Sequence, residues 1–345
     1  MADLAFSNVG ITGIVTTVGG QRLMFDAERE QLGLSLEEAE RLKRSIGLSS
    51  RHVVVRRDTT TSDLCLHSAQ QLLKGINVDP SAIDGLIMVT QTPDYASPSS
   101  AIRLQHLLGM RVGTACFDIR LGCSGFVYGL AMAASLVESG LSRVLLCVGD
   151  VASRMVPQDN HAITPLMGDA GAAIMVERKP GFARFQLYSD GSGEKGLYIP
   201  NSGLRRDPED EGKAPFMEMD GAAVFNFTLK RIPAMLTSIL EFAGWTADEV
   251  DHFVLHQPNR YILKNVQKRL GLGEDRLPSS TQSVYGNQNS ASIPGTICGF
   301  LTDAYSTSSQ RSVFAGFGVG LSWAACAIDT DPMLVPPPYL YEGES

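Results

Sequence analysis

The chain has 345 residues, 44% hydrophobic and 19% charged, with 29 Lys and Arg against 37 Asp and Glu for a net charge of −8. This is soluble globular composition, with enough chain for a large core in two domains or two halves. The acidic balance excludes a protein that grips nucleic acid by neutralising phosphates, and no apolar run approaches the roughly 20 residues that span a membrane.

Met1 to Gly20 has no basic leader and is broken by Gly10, Gly13, Gly19 and Gly20, so no targeting segment is expected and the expected compartment is cytoplasmic. Hydrophobic periodicity then predicts helices over Ser35–Ile46 and Thr61–Leu73, a strand over Gly85–Thr90, and helices over Ala101–Leu108 and Gly125–Ser139. Strands follow at Arg143–Gly149 and Ala172–Glu177, a helix at Ala223–Ala243, a strand at His252–His256 and a helix at Asn259–Leu270. Two last strands cover Val313–Gly316 and Leu321–Ile328. Such alternation predicts an α/β protein with parallel or mixed sheets. The stretch Asp329–Ser345, with Pro336, Pro337 and Pro338, is expected to lie over the surface and join no sheet or helix. The six cysteines form no CxxC pair and lie mostly in apolar segments, which predicts reduced, buried thiols. No Cys, His and carboxylate set has ligand spacing, so no metal is expected.

A weak internal repeat underlies the alternation. LLKGINVDPSAIDGLIMV in the first half matches LEFAGWTADEVDHFVLHQ in the second, each a helix end, a turn and a strand. The segment from LGCSGFVYGL to VLLCVGD can be laid against GNQNSASIPG to VFAGFG, and GDAGAAIMVE against GFGVGLSWAACAID. Three matches in one order predict two pseudo-symmetric halves, 1–178 and 179–330, with a tail at 331–345.

The duplication puts three polar residues at corresponding places. Cys123 opens the small-residue helix of the first half, Asn287 opens the matching segment of the second, and His256 ends a strand. Sites assemble at such strand ends. Unpaired N–H donors at a helix start favour a thiolate, which predicts an activated Cys123. Gly122 and Gly125 let backbone amides approach a carbonyl bound there. Each residue alone also has a bland reading: a buried thiol, a core histidine, a turn-forming asparagine.

LGCSGFVYGL, VLHQPN, YGNQNSASIP and GFGVGLSW, in this order between about Val9 and Ile328, resemble the β-ketoacyl-acyl-carrier-protein synthase III group of the thiolase superfamily. The resemblance implies a five-layered αβαβα homodimer with a Cys-His-Asn site at Cys123, His256 and Asn287. It implies acyl transfer to Cys123, with the oxyanion held by the N–H groups of Cys123 and Val319, then decarboxylation of a malonyl thioester and attack of its enolate on the acyl group. The expected substrates are an acyl-CoA and a malonyl thioester on acyl carrier protein, with no cofactor. Acyl transfer to an alcohol or amine is the alternative chemistry. Thiolases resemble this fold but carry a second cysteine in the Gly-rich turn, which here reads Gly316-Phe317-Gly318-Val319-Gly320 without one.

The resemblance also marks substrate positions. Acetyl-primed members carry an aromatic residue where Ser97 stands, so a longer acyl group is expected in a pocket formed by Ser97, Tyr95 and Phe317. Arg154 and Arg41 fall at the coenzyme A positions. Arg260, Lys264 and Lys268, spaced by four on one helix, are expected to dock the carrier protein.

Overall fold

The computed structural model describes residues 2–158, 160–161 and 163–343. Two sheets organise it. The first has six strands in the spatial order Tyr339–Tyr341, Gly10–Gly19, Asp169–Glu177, Arg143–Val151, Gly85–Val89 and Ala115–Ile119. The second has five, in the order Ala2–Phe6, Ala183–Ser189, Ser322–Thr330, Gln310–Gly318 and His252–Leu255. From the second strand onward both sheets run through the same pairings: antiparallel, antiparallel, parallel. The duplicated sequence segments therefore fold into duplicated topology.

Period-two alternation decides which side chains each layer receives. In Arg143–Val151, Val144, Leu146 and Val148 point to the centre of the molecule, while Cys147 and Leu145 join the outer helices. In Gln310–Gly318, Phe314 points to the centre, and Val313, Ala315 and Phe317 face the other outer layer. The central layer holds the helices Gly125–Glu138 and Ser292–Phe300. Thr61–Ile76 and Ser100–Leu107 cover the first sheet, and Gly221–Ala243 and Arg260–Leu270 cover the second, completing five αβαβα layers. A helix packed between two sheets must be apolar all round and narrow. Gly129 shows why: a Cβ there would stand 2.7 Å from Val89 and 2.8 Å from Leu146.

Caps set where helices begin. Ser35 and Glu38 form a reciprocal capping box, so the predicted helix starts at Leu36. Asn259 accepts the Ile262 N–H and starts the next at Arg260.

One element lies outside the predicted set, and one expectation is corrected. The glycine-interrupted N-terminus contains the buried central strand Gly10–Gly19, where a Cβ on Gly13 would stand 2.6 Å from Leu72. The tail does not merely lie over the surface. Met333 and Val335 are buried, the Ile14 N–H donates to the Leu334 carbonyl at 2.8 Å, and Tyr339–Tyr341 pairs in parallel with Thr17–Gly19. Its prolines end just before the pairing starts, a placement that an edge strand tolerates. Five cysteines are buried and Cys116 is half-buried. Among the described residues no helix is long and apolar enough to cross a membrane.

Candidate active site

The repeated unit explains where the site forms. Left-handed caps at Asn77 and Gly244 end two helices, short 3-10 turns follow at Pro80–Ala82 and Ala247–Glu249, and each leads into a strand. The second-half strand delivers His256, whose N–H donates to the Ala315 carbonyl at 2.8 Å. Cys123 sits in the turn before the central helix Gly125–Glu138, fastened by a Gly125 N–H to Gly122 carbonyl bond of 2.7 Å. Asn287 is held across the halves: its N–H donates to Leu166 at 2.6 Å, and its carbonyl accepts from Gly168 at 3.1 Å. All three line one narrow cleft with Phe317 and Val319, and they are 8%, 1% and 8% exposed.

The Gly-rich turn brings backbone against the nucleophile. A Cβ on Gly318 would lie 2.7 Å from Cys123 Cβ and 2.8 Å from its Sγ, so only glycine fits there. The backbone N–H groups of Val319 and of Cys123 itself approach Sγ, the expected oxyanion pair. The expected thiolate is corrected. Burial pushes the Cys123 thiol up to about 12, with the Asp150 charge adding to the rise and the two N–H groups opposing it. The desolvation of a sealed cleft outweighs the helix start.

His256 is likewise ruled by burial, which lowers its pKa to about 3 and keeps the imidazole neutral, although the Asn289 backbone opposes this. The Asn287 side chain has a defined orientation. Its Oδ1 accepts the Asn289 N–H at 3.0 Å, which leaves the NH2 group to donate. Asn289 itself adopts a left-handed φ of 48°, which Asn tolerates, and its Oδ1 accepts from Cys123 Sγ at 3.8 Å. Asp150 lies fully buried nearby, raised to about 6 by burial against hydrogen bonds from Gln91 N–H (2.7 Å) and Thr90 (3.0 Å). The motif reading did not single out Asn289, Asp150 or Gln91. Asn289 had a signal in the polar run Asn287-Gln288-Asn289 at the elbow.

The geometry can be set beside known proteins. The 3-oxoacyl-acyl-carrier-protein synthase III profile matches residues 117–191, and that of its C-terminal region matches 240–330. A β-ketoacyl-acyl-carrier-protein synthase III of Streptococcus uberis is 33% identical over 306 residues, covering 87% of this chain and 93% of its own. That of Neisseria meningitidis serogroup C is 33% identical over 282 residues, covering 81% and 87%. The chain belongs to the 3-oxoacyl-acyl-carrier-protein synthase III family. It is thus an acyltransferase-type condensing enzyme of the thiolase superfamily. The crystal structure of a 3-oxoacyl-acyl-carrier-protein synthase from Burkholderia xenovorans LB400 superposes with a TM-score of 0.93 at 33% identity, covering 98% of this chain and 99% of that one. The synthase III of Pseudomonas aeruginosa PAO1 gives 0.84 at 28%, covering 96% and 100%.

The remaining residues marked by the family resemblance are less concentrated. Of the expected acyl pocket, Phe317 lines the cleft, edge-on to His256 at 5.6 Å, but Tyr95 lines a separate outer cavity of about 850 Å3 and Ser97 lines neither. Gln91 lines both spaces, and a Cβ on Gly122 would collide with its Oε1. Arg154 does not meet Arg41. It donates to the Arg56 carbonyl at 2.9 Å and shares a cavity of about 630 Å3 with Arg56 and Arg57, whereas Arg41 is exposed on the helix Leu36–Ile46 outside that lining. Of the docking cations, Lys264 is tied to Glu274 at 2.8 Å, while Arg260 and Lys268 carry no ion pair among the described residues. No group of three His, Cys, Asp or Glu among the described residues could hold a metal ion.

Proposed function

We propose that the enzyme condenses a Cys123-bound acyl group with a malonyl thioester by decarboxylation. One observation carries this reading. The described residues that line the cleft include no Asp, Glu, Lys or second Cys, but they do include a neutral imidazole and an asparagine with its NH2 group free. Making an enolate by removing a proton needs a strong base, and an imidazole lowered to about 3 is a weak one; making it by losing CO2 needs only donors for the oxygen that becomes negative.

In the first step the Cys123 sulfur attacks the acyl thioester, and its proton leaves with the released thiol. The malonyl C–CO2 bond then breaks. Its electron pair forms the enolate, whose oxygen takes hydrogen bonds from His256 and Asn287, each worth about 2.7–4 kcal/mol. The enolate carbon attacks the acyl carbonyl, held by the Cys123 and Val319 N–H groups. Collapse expels the Cys123 thiolate, which takes up a proton from solvent water to replace the one lost with the first thiol.

The acyl group is longer than acetyl on this reading because Ser97 stands where acetyl-primed members of the family carry an aromatic residue. The cleft has about 80 Å3 of free space, room for roughly two or three water volumes. A longer chain would pass Gln91 toward the outer cavity that holds Tyr95. Coenzyme A phosphates would meet Arg57 and Arg154, and an acidic carrier protein would meet Arg260, Lys268 and Arg41, on helices that pack side by side. The active form is a homodimer paired through the exposed edge of the first sheet.

Mass analysis of the Cys123 peptide after exposure to acyl-CoAs of rising length tests the reading, with CO2 release from malonyl carrier protein as the second readout. Adducts longer than acetyl and CO2 loss are expected, and Gln91→Ala should shift the profile to longer chains. Absence of any adduct sinks the nucleophile, acetyl-only adducts sink the long primer, and transfer to an alcohol or amine without CO2 release sinks condensation.

A further inference from the structure

Ser292, 1% exposed, begins the second central helix and sits against the His256 ring. Its Oγ lies 2.8 Å from His256 Nδ1 and 2.7 Å from the Asn289 carbonyl oxygen, and it accepts the Gln257 N–H at 3.4 Å. A serine hydroxyl has one proton and can serve only one of the two acceptors. The Asn289 carbonyl already receives the backbone N–H of Ser292. That carbonyl has a second lone pair for the hydroxyl, but it stays satisfied when the hydroxyl turns its proton to the ring instead.

We propose that Ser292 is a positioning residue which, by donating its hydroxyl to Nδ1, fixes His256 in the tautomer that carries its proton on Nε2. The inference rests on the condensation reading for its catalytic consequence, but not for its structural content. Burial keeps the ring neutral, so only one ring nitrogen bears hydrogen. With Nδ1 occupied by the serine, Nε2–H is the group left to donate to the thioester oxygen. Remove the hydroxyl and the balance reverses. With no hydroxyl donating to Nδ1, that nitrogen no longer has to stay bare, and the ring hydrogen can move to it. Nε2 would then turn a lone pair toward the oxygen on which negative charge develops.

The test is a long-range 1H–15N spectrum of the full-length enzyme labelled with 15N-histidine, with Ser292→Ala and Ser292→Thr beside the wild type. The expected result is a protonated Nε2 and bare Nδ1 at His256 in the wild type, the reverse in Ser292→Ala, and return to the wild-type pattern in Ser292→Thr. CO2 release from the malonyl thioester should fall in Ser292→Ala by up to the roughly 10²–10³-fold of losing a donor, in kcat rather than KM, and more steeply than Cys123 acylation. A wild-type ring protonated at Nδ1, or a Ser292→Ala ring still protonated at Nε2, overturns the assignment. The expected spectra from an enzyme that releases no CO2 support the tautomer claim while sinking the condensation reading.

Discussion

Two influences compete at Cys123, and their balance decides how the nucleophile behaves before substrate arrives. The turn ahead of the helix Gly125–Glu138 supplies N–H groups that favour a thiolate, whereas a cleft that leaves the residue 8% exposed removes the water that would solvate one. Burial wins, and the thiol rises to about 12 with Asp150 contributing. The same cleft pushes His256 in the opposite direction, to about 3, so the resting site holds a neutral thiol beside a neutral imidazole. Neutral groups suit a cleft that must admit an apolar acyl chain. With the pKa far above neutral, the thiolate fraction grows about tenfold per pH unit across the accessible range. The logarithm of the iodoacetamide alkylation rate of Cys123 should therefore climb steadily from about pH 6 to about pH 10 without levelling. A plateau near neutrality would mean that the helix start prevails after all.

The Gly-rich turn after the strand Gln310–Gly318 shows how an element carries chemistry to which it lends no side chain. Gly318 lies so close to Cys123 that a Cβ would stand 2.8 Å from the sulfur, and the next residue, Val319, supplies an N–H to it. Gly318→Ala must therefore push the turn and the nucleophile apart. The expected outcome is a folded enzyme whose acylation rate falls by about 10²-fold or more, the cost of one lost oxyanion donor, read by the single-turnover mass of the Cys123 peptide; wild-type acylation would remove the turn from the mechanism. This turn, like the Cys123 elbow and the His256 strand end, was legible in the sequence because duplication repeated each pattern. Helix starts were legible because Ser35 and Asn259 cap them. The strand Gly10–Gly19 was not, since a strand buried on both faces shows no alternation. Tyr339–Tyr341 was hidden for another reason: its pairing with Thr17–Gly19 joins distant ends of the chain. Ser292, Asp150 and Gln91 stayed hidden because a hydroxyl, a carboxylate or an amide acquires its role only from the group it faces across the fold.

At the scale of the whole molecule, the first sheet ends in an unfinished edge. Ala115–Ile119 is its last strand, bonded on one side to Gly85–Val89, and Ala115 and Phe117 are exposed along it. Tyr95, Ile102, Leu107 and Val112 add four more exposed large apolar side chains in the segment that precedes this strand. A row of free N–H and C=O groups flanked by apolar surface is a template for another strand, and folded proteins normally blunt such an edge with charge. Pairing of this edge with its own copy would complete both needs in one isologous contact. It would also bring the partner beside the outer cavity that holds Tyr95 and Gln91, which ties assembly to acyl-chain choice. Phe117→Glu places a charge in the middle of that contact, where like charges from two copies would meet. Light scattering coupled to gel filtration should report a dimer for the wild type and a monomer for Phe117→Glu, with the variant's fold intact by circular dichroism. A partner seated at this edge would stand beside the outer cavity, so in the monomer acylation by longer acyl-CoAs should weaken more than acylation by acetyl-CoA. A wild type that runs as a monomer, or a Phe117→Glu variant that stays dimeric, would place the homodimer contact elsewhere or abolish it.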